Sequence, residues 1–206
     1  DTETDIVVVG EGERAVWEIS QKFPHKTALN RINGIVFKED DGQVISTKSR
    51  RTIQNLNELP FPARHLVNMG RYFSFKWGDR IKWSLPQPAL PIISSRGCPF
   101  RCTFCASGLV HGKKLRYRSP ENVKDEIRQL IEGYGIKGVY FYDDTFTLNR
   151  DWLFRLCDLL LELNIKWICG TRVDQVDKEK LTKMKASGCV LISYGIESGD
   201  ERILNN

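Results

Sequence analysis

From residue 90 onward the chain alternates short apolar runs with longer stretches whose apolar residues recur at helical spacing. Leu90 to Ser94 reads as a first strand. The helix after it starts at Ser119-Pro120, a serine cap with proline at the first helical position, and carries Val123, Ile127, Leu130 and Ile131 on one face. Gly133 and Gly135 are expected to stop it. Gly138 to Tyr142 reads as a second strand, Asp151 to Leu163 as a helix, Trp167 to Gly170 as a third strand, Asp177 to Ser187 as a shorter helix ended by Gly188, and Val190 to Tyr194 as a fourth strand. Strand-helix repeats of this length predict a parallel sheet with right-handed crossovers. The expected class is α/β, a partial (β/α) TIM-like barrel that this chain follows through its fourth strand.

Upstream the pattern changes. Asp5-Ile6-Val7-Val8-Val9-Gly10 is a β-branched apolar run ending in glycine and predicts a buried parallel strand. A helix follows through Val16 and Ile19 and closes before Pro24. The turn between them, Gly10-Glu11-Gly12-Glu13-Arg14-Ala15, matches a dinucleotide fingerprint, weakly, because no further βα unit comes before the next element. Residues 32–37 and 43–47 flank Asp40-Asp41-Gly42 and predict a hairpin. Residues 55–66 alternate proline with apolar side chains and read as a linker between domains. Residues 1–54 thus form one region, 55–89 a linker and connector rich in aromatics (Tyr72, Phe73, Phe75, Trp77, Trp83), and 90–206 the barrel. With no initiating methionine and an end a few residues into a new helix, the chain is read as an internal fragment.

Charge adds little. The formal net charge of +5 is spread along the chain, and Lys48-Ser49-Arg50-Arg51, the densest basic cluster, lacks a reading element beside it, so nucleic acid is not the expected partner. No run approaches the roughly 18 apolar residues of a membrane span, and no signal segment is visible, so a cytoplasmic location is expected.

The chemistry concentrates in Ser94-Ser95-Arg96-Gly97-Cys98-Pro99-Phe100-Arg101-Cys102-Thr103-Phe104-Cys105, which holds three of the six cysteines. Gly97 and Pro99 let the backbone curl so that three thiolates can serve one centre. Two metals compete for such a loop. Structural zinc takes four protein ligands, with His111 available as the fourth, whereas a four-iron cubane held by three cysteines leaves one iron open. Cys157, Cys169 and Cys189 lie in apolar periodic segments and read as small buried hydrophobes.

Each strand after residue 90 runs at once into polar residues: the cysteine loop, then Asp143-Asp144, then Thr171-Arg172-Val173-Asp174, then Gly195-Ile196-Glu197-Ser198. In βα barrels sites are built on that rim. The alternatives are ordinary: an N-cap or solvated loop for the aspartates, a surface salt bridge for Arg172, a solvated loop for Glu197 and plain packing for Phe104.

The C-x3-C-x2-C spacing, with Phe104 before the third cysteine, resembles the signature of the radical S-adenosylmethionine enzymes. The resemblance implies that Cys98, Cys102 and Cys105 hold a 4Fe-4S cluster whose free iron chelates S-adenosylmethionine, and that reductive cleavage releases a 5'-deoxyadenosyl radical. It further implies that Asp143 or Asp144 accepts from the methionine amino group, where the family usually has a Gly-Gly-Glu-like element whose glycines are missing here. Arg172 is then the partner of the methionine carboxylate, Glu197 of the ribose hydroxyls, and Phe104 lies against the adenine.

Residues 1–24 with the hairpin and Leu59-Pro60-Phe61-Pro62 are similar to the end of the cobalamin-binding, doubly wound (Rossmann-like) domain that precedes the barrel in one branch of the superfamily. That implies cobalamin, with Gly10 to Glu13 near its edge, although the Asp-x-His-x-x-Gly motif is absent from this stretch. The expected activity is cobalamin-dependent methyl transfer or carbon-skeleton chemistry on a small-molecule or peptide substrate, with flavodoxin or ferredoxin as electron donor. An RNA methylthiotransferase of the same superfamily and a non-catalytic zinc module are the alternatives; the residues ahead of Cys98 contain no cysteine, which counts against the former.

Overall fold

The structure, a computed structural model, describes residues 4–22, 26–74 and 85–204. Phe75, Trp77 and Trp83 of the expected aromatic connector lie outside the described residues. In chain order the elements are β1 (Ile6–Val8), α1 (Glu13–Lys22), β2 (Ile35–Lys38), β3 (Val44–Ser46), α2 (Met69–Ser74), β4 (Ala89–Ile92), β5 (Ser95–Arg96), α3 (Ser107–Val110), β6 (Arg116–Tyr117), α4 (Pro120–Tyr134), β7 (Gly138–Phe141), α5 (Arg150–Leu163), β8 (Lys166–Arg172), α6 (Lys178–Ala186), β9 (Cys189–Gly195) and α7 (Glu201–Leu204). They group into two compact units, residues 1–54 with 97–115, and residues 55–96 with 116–206.

In the first unit β1, β2 and β3 form one antiparallel sheet in that order. The expectation of a buried parallel strand at residues 5–10 is corrected on both counts. Successive side chains of a strand point to opposite faces, and only one face here is covered. Ile6 and Val8 pack on a small core of Ala15, Leu29, Ile32, Ile35 and Phe37, while Val7 and Val9 are exposed. The hairpin, expected as a separate feature, supplies β1 with its partner strand: Val7 pairs with Val36.

The second unit is the parallel sheet, in the order β4-β7-β8-β9, with α4, α5 and α6 as crossovers. Leu90, Ile92, Val139, Phe141, Trp167 and Cys169 turn one face of it toward Val123, Ile127, Leu153, Leu156, Leu160 and Met184 of the helices. Ser119 caps α4 by accepting from the Asn122 N–H at 3.2 Å, as its position predicted. Only Gly135, left-handed at φ 63°, stops that helix; Gly133 lies inside it. The first strand is also shorter than expected, because after Ile92 the chain leaves the sheet and Ser95–Arg96 pairs antiparallel with Arg116–Tyr117.

The outer edge of β4 is closed by side chains. Arg118 donates to the Ile93 carbonyl at 3.0 Å and Arg64 to the Pro91 carbonyl at 3.3 Å, so these two carbonyls have side-chain partners. Both guanidinium groups converge on Glu126 of α4, which is buried, with Arg64 at 2.8 Å and Arg118 at 2.5 Å. Arg118 also lies over the Phe61 ring at 5.3 Å. The proline-rich stretch around Phe61 is thereby pinned to α4 and to the strand that leads into the cysteine loop.

Candidate functional site

The cysteine loop belongs to the first unit. Gly97 opens it at φ 90°, and a Cβ there would lie 2.5 Å from the Lys114 carbonyl and 3.1 Å from that of Gly112, so glycine is required both for its dihedral and for its lack of bulk. Cys98 donates its N–H to the Gly112 carbonyl at 3.4 Å, and Cys105 donates to the Cys102 carbonyl at 3.1 Å. The loop is therefore an entry arm laid against a return arm, with a tight turn at Cys102–Cys105 between them. None of the three cysteines is in a disulfide; Cys98 and Cys102 are half-buried and Cys105 is exposed, as is Phe104.

Among the described residues no three His, Cys, Asp or Glu side chains gather around a single point as one metal ion requires. Zinc would need its sulfurs about 3.8 Å apart, given Zn–S bonds of about 2.3 Å in a tetrahedron. A cubane is different: each thiolate binds its own iron, and the three sulfurs stand further apart. Three cysteines outside any disulfide on one loop fit that donor set. His111, the expected fourth ligand of the zinc alternative, instead has Nδ1 at 3.6 Å from Glu11 Oε1.

The remaining candidates belong to the second unit. Asp143 and Asp144 prove to be different groups. The inward face of β7 runs Val139, Phe141 and then Asp143, which is buried; the other face runs Tyr140, Tyr142 and then Asp144, which is exposed. Asp143 Oδ1 accepts from Ser95 Oγ at 2.5 Å and Ser94 Oγ at 2.9 Å, and the Ser94 N–H points at both carboxylate oxygens from 3.2 and 3.3 Å. Burial pushes its pKa up to about 6, with the serine hydrogen bonds holding it down against that. Ser94 and Ser95 were not singled out in the sequence. Continuing the period-two alternation two residues past β4 and β7 puts Ser94 and Asp143 on the core face, and that signal identifies the pair.

Arg172, at the end of β8, forks onto Asp174 with bonds of 3.0 Å from Nε and 2.9 Å from a terminal nitrogen, and holds that carboxyl below the usual range. Both side chains are well exposed. The turn that carries them is braced from below: Lys180, nearly buried, donates to the Thr147 and Gln175 carbonyls at 2.9 and 3.0 Å, and the Thr147 and Thr171 hydroxyls bond at 2.7 Å. Glu197 is exposed in a left-handed conformation, φ 61°, with its carboxylate folded back over Gly195, where a Cβ would meet it at 2.5 Å. Asp143, Asp144 and Glu197 follow, and Arg172 closes, the C-terminal ends of neighbouring parallel strands.

Residues 92–206 match the family described as the Radical SAM superfamily. An uncharacterized methyltransferase of Pyrococcus horikoshii is 37% identical over 205 residues, 97% of this chain and 42% of that protein. Cytidylyl-2-hydroxyethylphosphonate methyltransferase of Streptomyces wedmorensis is 30% identical over 226 residues, 99% of this chain and 42% of that protein. The chain thus spans less than half the length of these curated relatives. Among solved structures, OxsB, a cobalamin-dependent S-adenosylmethionine radical enzyme with aqua-cobalamin bound, shares the fold with a TM-score of 0.71 at 23% identity, over 97% of this chain and 29% of that one.

Proposed function

Because the chain belongs to the Radical SAM superfamily, we propose that it is the catalytic portion of an enzyme that reductively cleaves S-adenosylmethionine in the service of methyl transfer or carbon-skeleton chemistry. The observation that carries this reading is three cysteines outside any disulfide, Cys98, Cys102 and Cys105, on one tight loop inside the family-matched region. A reduced 4Fe-4S cluster held there would supply one electron to the sulfonium, whose cleavage gives methionine and a 5'-deoxyadenosyl radical. The protein's own side chains bind and orient the reacting groups.

Cys98, Cys102 and Cys105 would hold the cluster as thiolates. Of the two aspartates, Asp144 is the acceptor for the methionine amino group, since it lies on the exposed face while Asp143 is committed to Ser94 and Ser95. Arg172 would exchange Asp174 for the methionine carboxylate; the exposed pair it leaves costs little to open. Glu197 would accept from the ribose hydroxyls, and Phe104, exposed on the loop, would offer its ring to the adenine.

Cobalamin is supported by the likeness to OxsB and would supply the methyl group from a neighbouring domain. Within this chain only the Gly10–Glu13 turn is assigned to its vicinity, and Glu11 in that turn points inward, accepting from the Ile53 N–H at 2.6 Å. A small-molecule or peptide substrate and a flavodoxin- or ferredoxin-type electron donor complete the proposal. Six cysteines with no disulfide among them fit a reducing cytoplasm, and among the described residues no helix is long and apolar enough to cross a membrane.

The test is anaerobic. Reconstituted full-length protein given dithionite and S-adenosylmethionine is expected to release 5'-deoxyadenosine, and the Cys98→Ala/Cys102→Ala/Cys105→Ala protein to release none; equal yields from both would overturn the proposal.

A further inference from the structure

We infer that Glu11 and His111 form a carboxylate–imidazole clamp that fixes the return arm of the cysteine loop and so positions the first cluster ligand. This rests on the cluster reading above and adds to it a pair of positioning residues outside the three thiols.

The chain of contacts is short and lies wholly within the first unit. Glu11 has its side chain only 2% exposed and uses one oxygen to accept from the Ile53 N–H at 2.6 Å, which anchors it to the stretch after the hairpin. Its other oxygen stands 3.6 Å from His111 Nδ1. Next along the chain, the Gly112 carbonyl receives the Cys98 N–H, and Gly112 and Lys114 carbonyls press on Gly97 so closely that no Cβ fits. Lys114 is tied back in turn by donating to Gln54 Oε1 at 3.2 Å. The position of Cys98 therefore depends on the return arm, and the return arm depends on Glu11 through His111.

A buried carboxylate is an expensive way to hold a loop. Burial penalises the charge unless it is paired and hydrogen-bonded, so a plain packing role would be served better by an apolar side chain. The same geometry explains why His111 sits six residues past the last thiol without joining the thiols: its imidazole is turned to Glu11.

Iron retention separates positioning from folding. In reconstituted full-length protein, iron loss to an added chelator is timed for wild type, Glu11→Gln, His111→Leu and His111→Gln, beside thermal unfolding of the iron-free forms. Glu11→Gln and His111→Leu are expected to lose iron at least about tenfold faster than wild type, the scale of an outer-shell defect. His111→Gln, which keeps a donor toward Glu11, should lose it more slowly than His111→Leu, with melting temperatures unchanged. Iron loss at the wild-type rate in both, or loss that merely follows a lowered melting temperature, overturns the clamp while leaving the cluster reading intact. A wild type that takes up no iron–sulfur cluster overturns the reading and the clamp with it. For variants that do not fold, hydrogen exchange on the wild type decides: the amides of Cys98 and residues 111–114 should exchange as slowly as those of β1 to β3, and exchange at the rate of a free loop contradicts the clamp.

Discussion

Ser95 Oγ donates to Asp143 Oδ1 at 2.5 Å, and this bond joins the chain leaving β4 to the chain leaving β7 at the point where the cysteine loop departs. Ser94 adds two donors to the same carboxylate. Asp143 is thus a brace between two strand ends.

Its titration gives a pH signature. Burial raises the folded pKa from the ordinary 3.8 to about 6, so the native state holds a proton that the unfolded chain gives up. The contribution to stability is complete below pH 3.8 and is lost as pH rises through about 6, with the two values bounding it at about 3 kcal/mol. Thermal unfolding between pH 4 and 8 should show this loss in the wild type and a flatter profile in Asp143→Asn. Parallel profiles in the two proteins would refute it.

Much of the second unit is legible in the sequence because each strand and helix there has one period and one covered face. Val123, Ile127 and Leu130 mark the inner face of α4, and Ser119-Pro120 marks its start. The first unit is harder. Ile6-Val7-Val8-Val9 reads the same whether a strand is covered on one face or two, so neither its direction nor the exposure of Val7 and Val9 follows from composition. At the site, the cysteines announce themselves by spacing, and the difference between Asp143 and Asp144 follows from alternation carried past the strand end. The Asp174 partner of Arg172 and the left-handed Glu197 depend on loop geometry that no periodicity encodes.

Glu126 compensates two guanidinium groups while itself almost fully buried. Removing it leaves Arg64 and Arg118 facing each other without an anion. Glu126→Ala should cost about 3 to 5 kcal/mol in denaturant unfolding, well beyond a surface pair. A loss under about 1 kcal/mol would place the network among ordinary exposed ion pairs.

Asp174 competes for Arg172. In reconstituted protein Asp174→Asn should tighten S-adenosylmethionine binding several-fold by freeing the guanidinium fork, and Arg172→Ala should weaken it by about tenfold, the scale of one charge-assisted bond. Stability should change by less than about 1 kcal/mol in either variant, because the pair is exposed. Calorimetric titration with S-adenosylmethionine checks both signs.

Gly97→Ala meets two penalties at once. A left-handed alanine costs about 1 to 2 kcal/mol, and its Cβ must displace the Lys114 carbonyl that it would approach at 2.5 Å. Iron content after reconstitution should fall well below the wild-type value, whereas Gly133→Ala, inside α4 with open space around its Cβ, should keep full iron and gain about 0.5 to 1 kcal/mol.

Mössbauer spectroscopy of full-length protein reconstituted with iron-57, recorded with and without S-adenosylmethionine, addresses the cysteine loop most directly. Three thiolates holding four irons predict that one iron in four changes its signal when S-adenosylmethionine is added. Four irons that all ignore it, or a protein that returns from reconstitution holding zinc alone, would contradict the account.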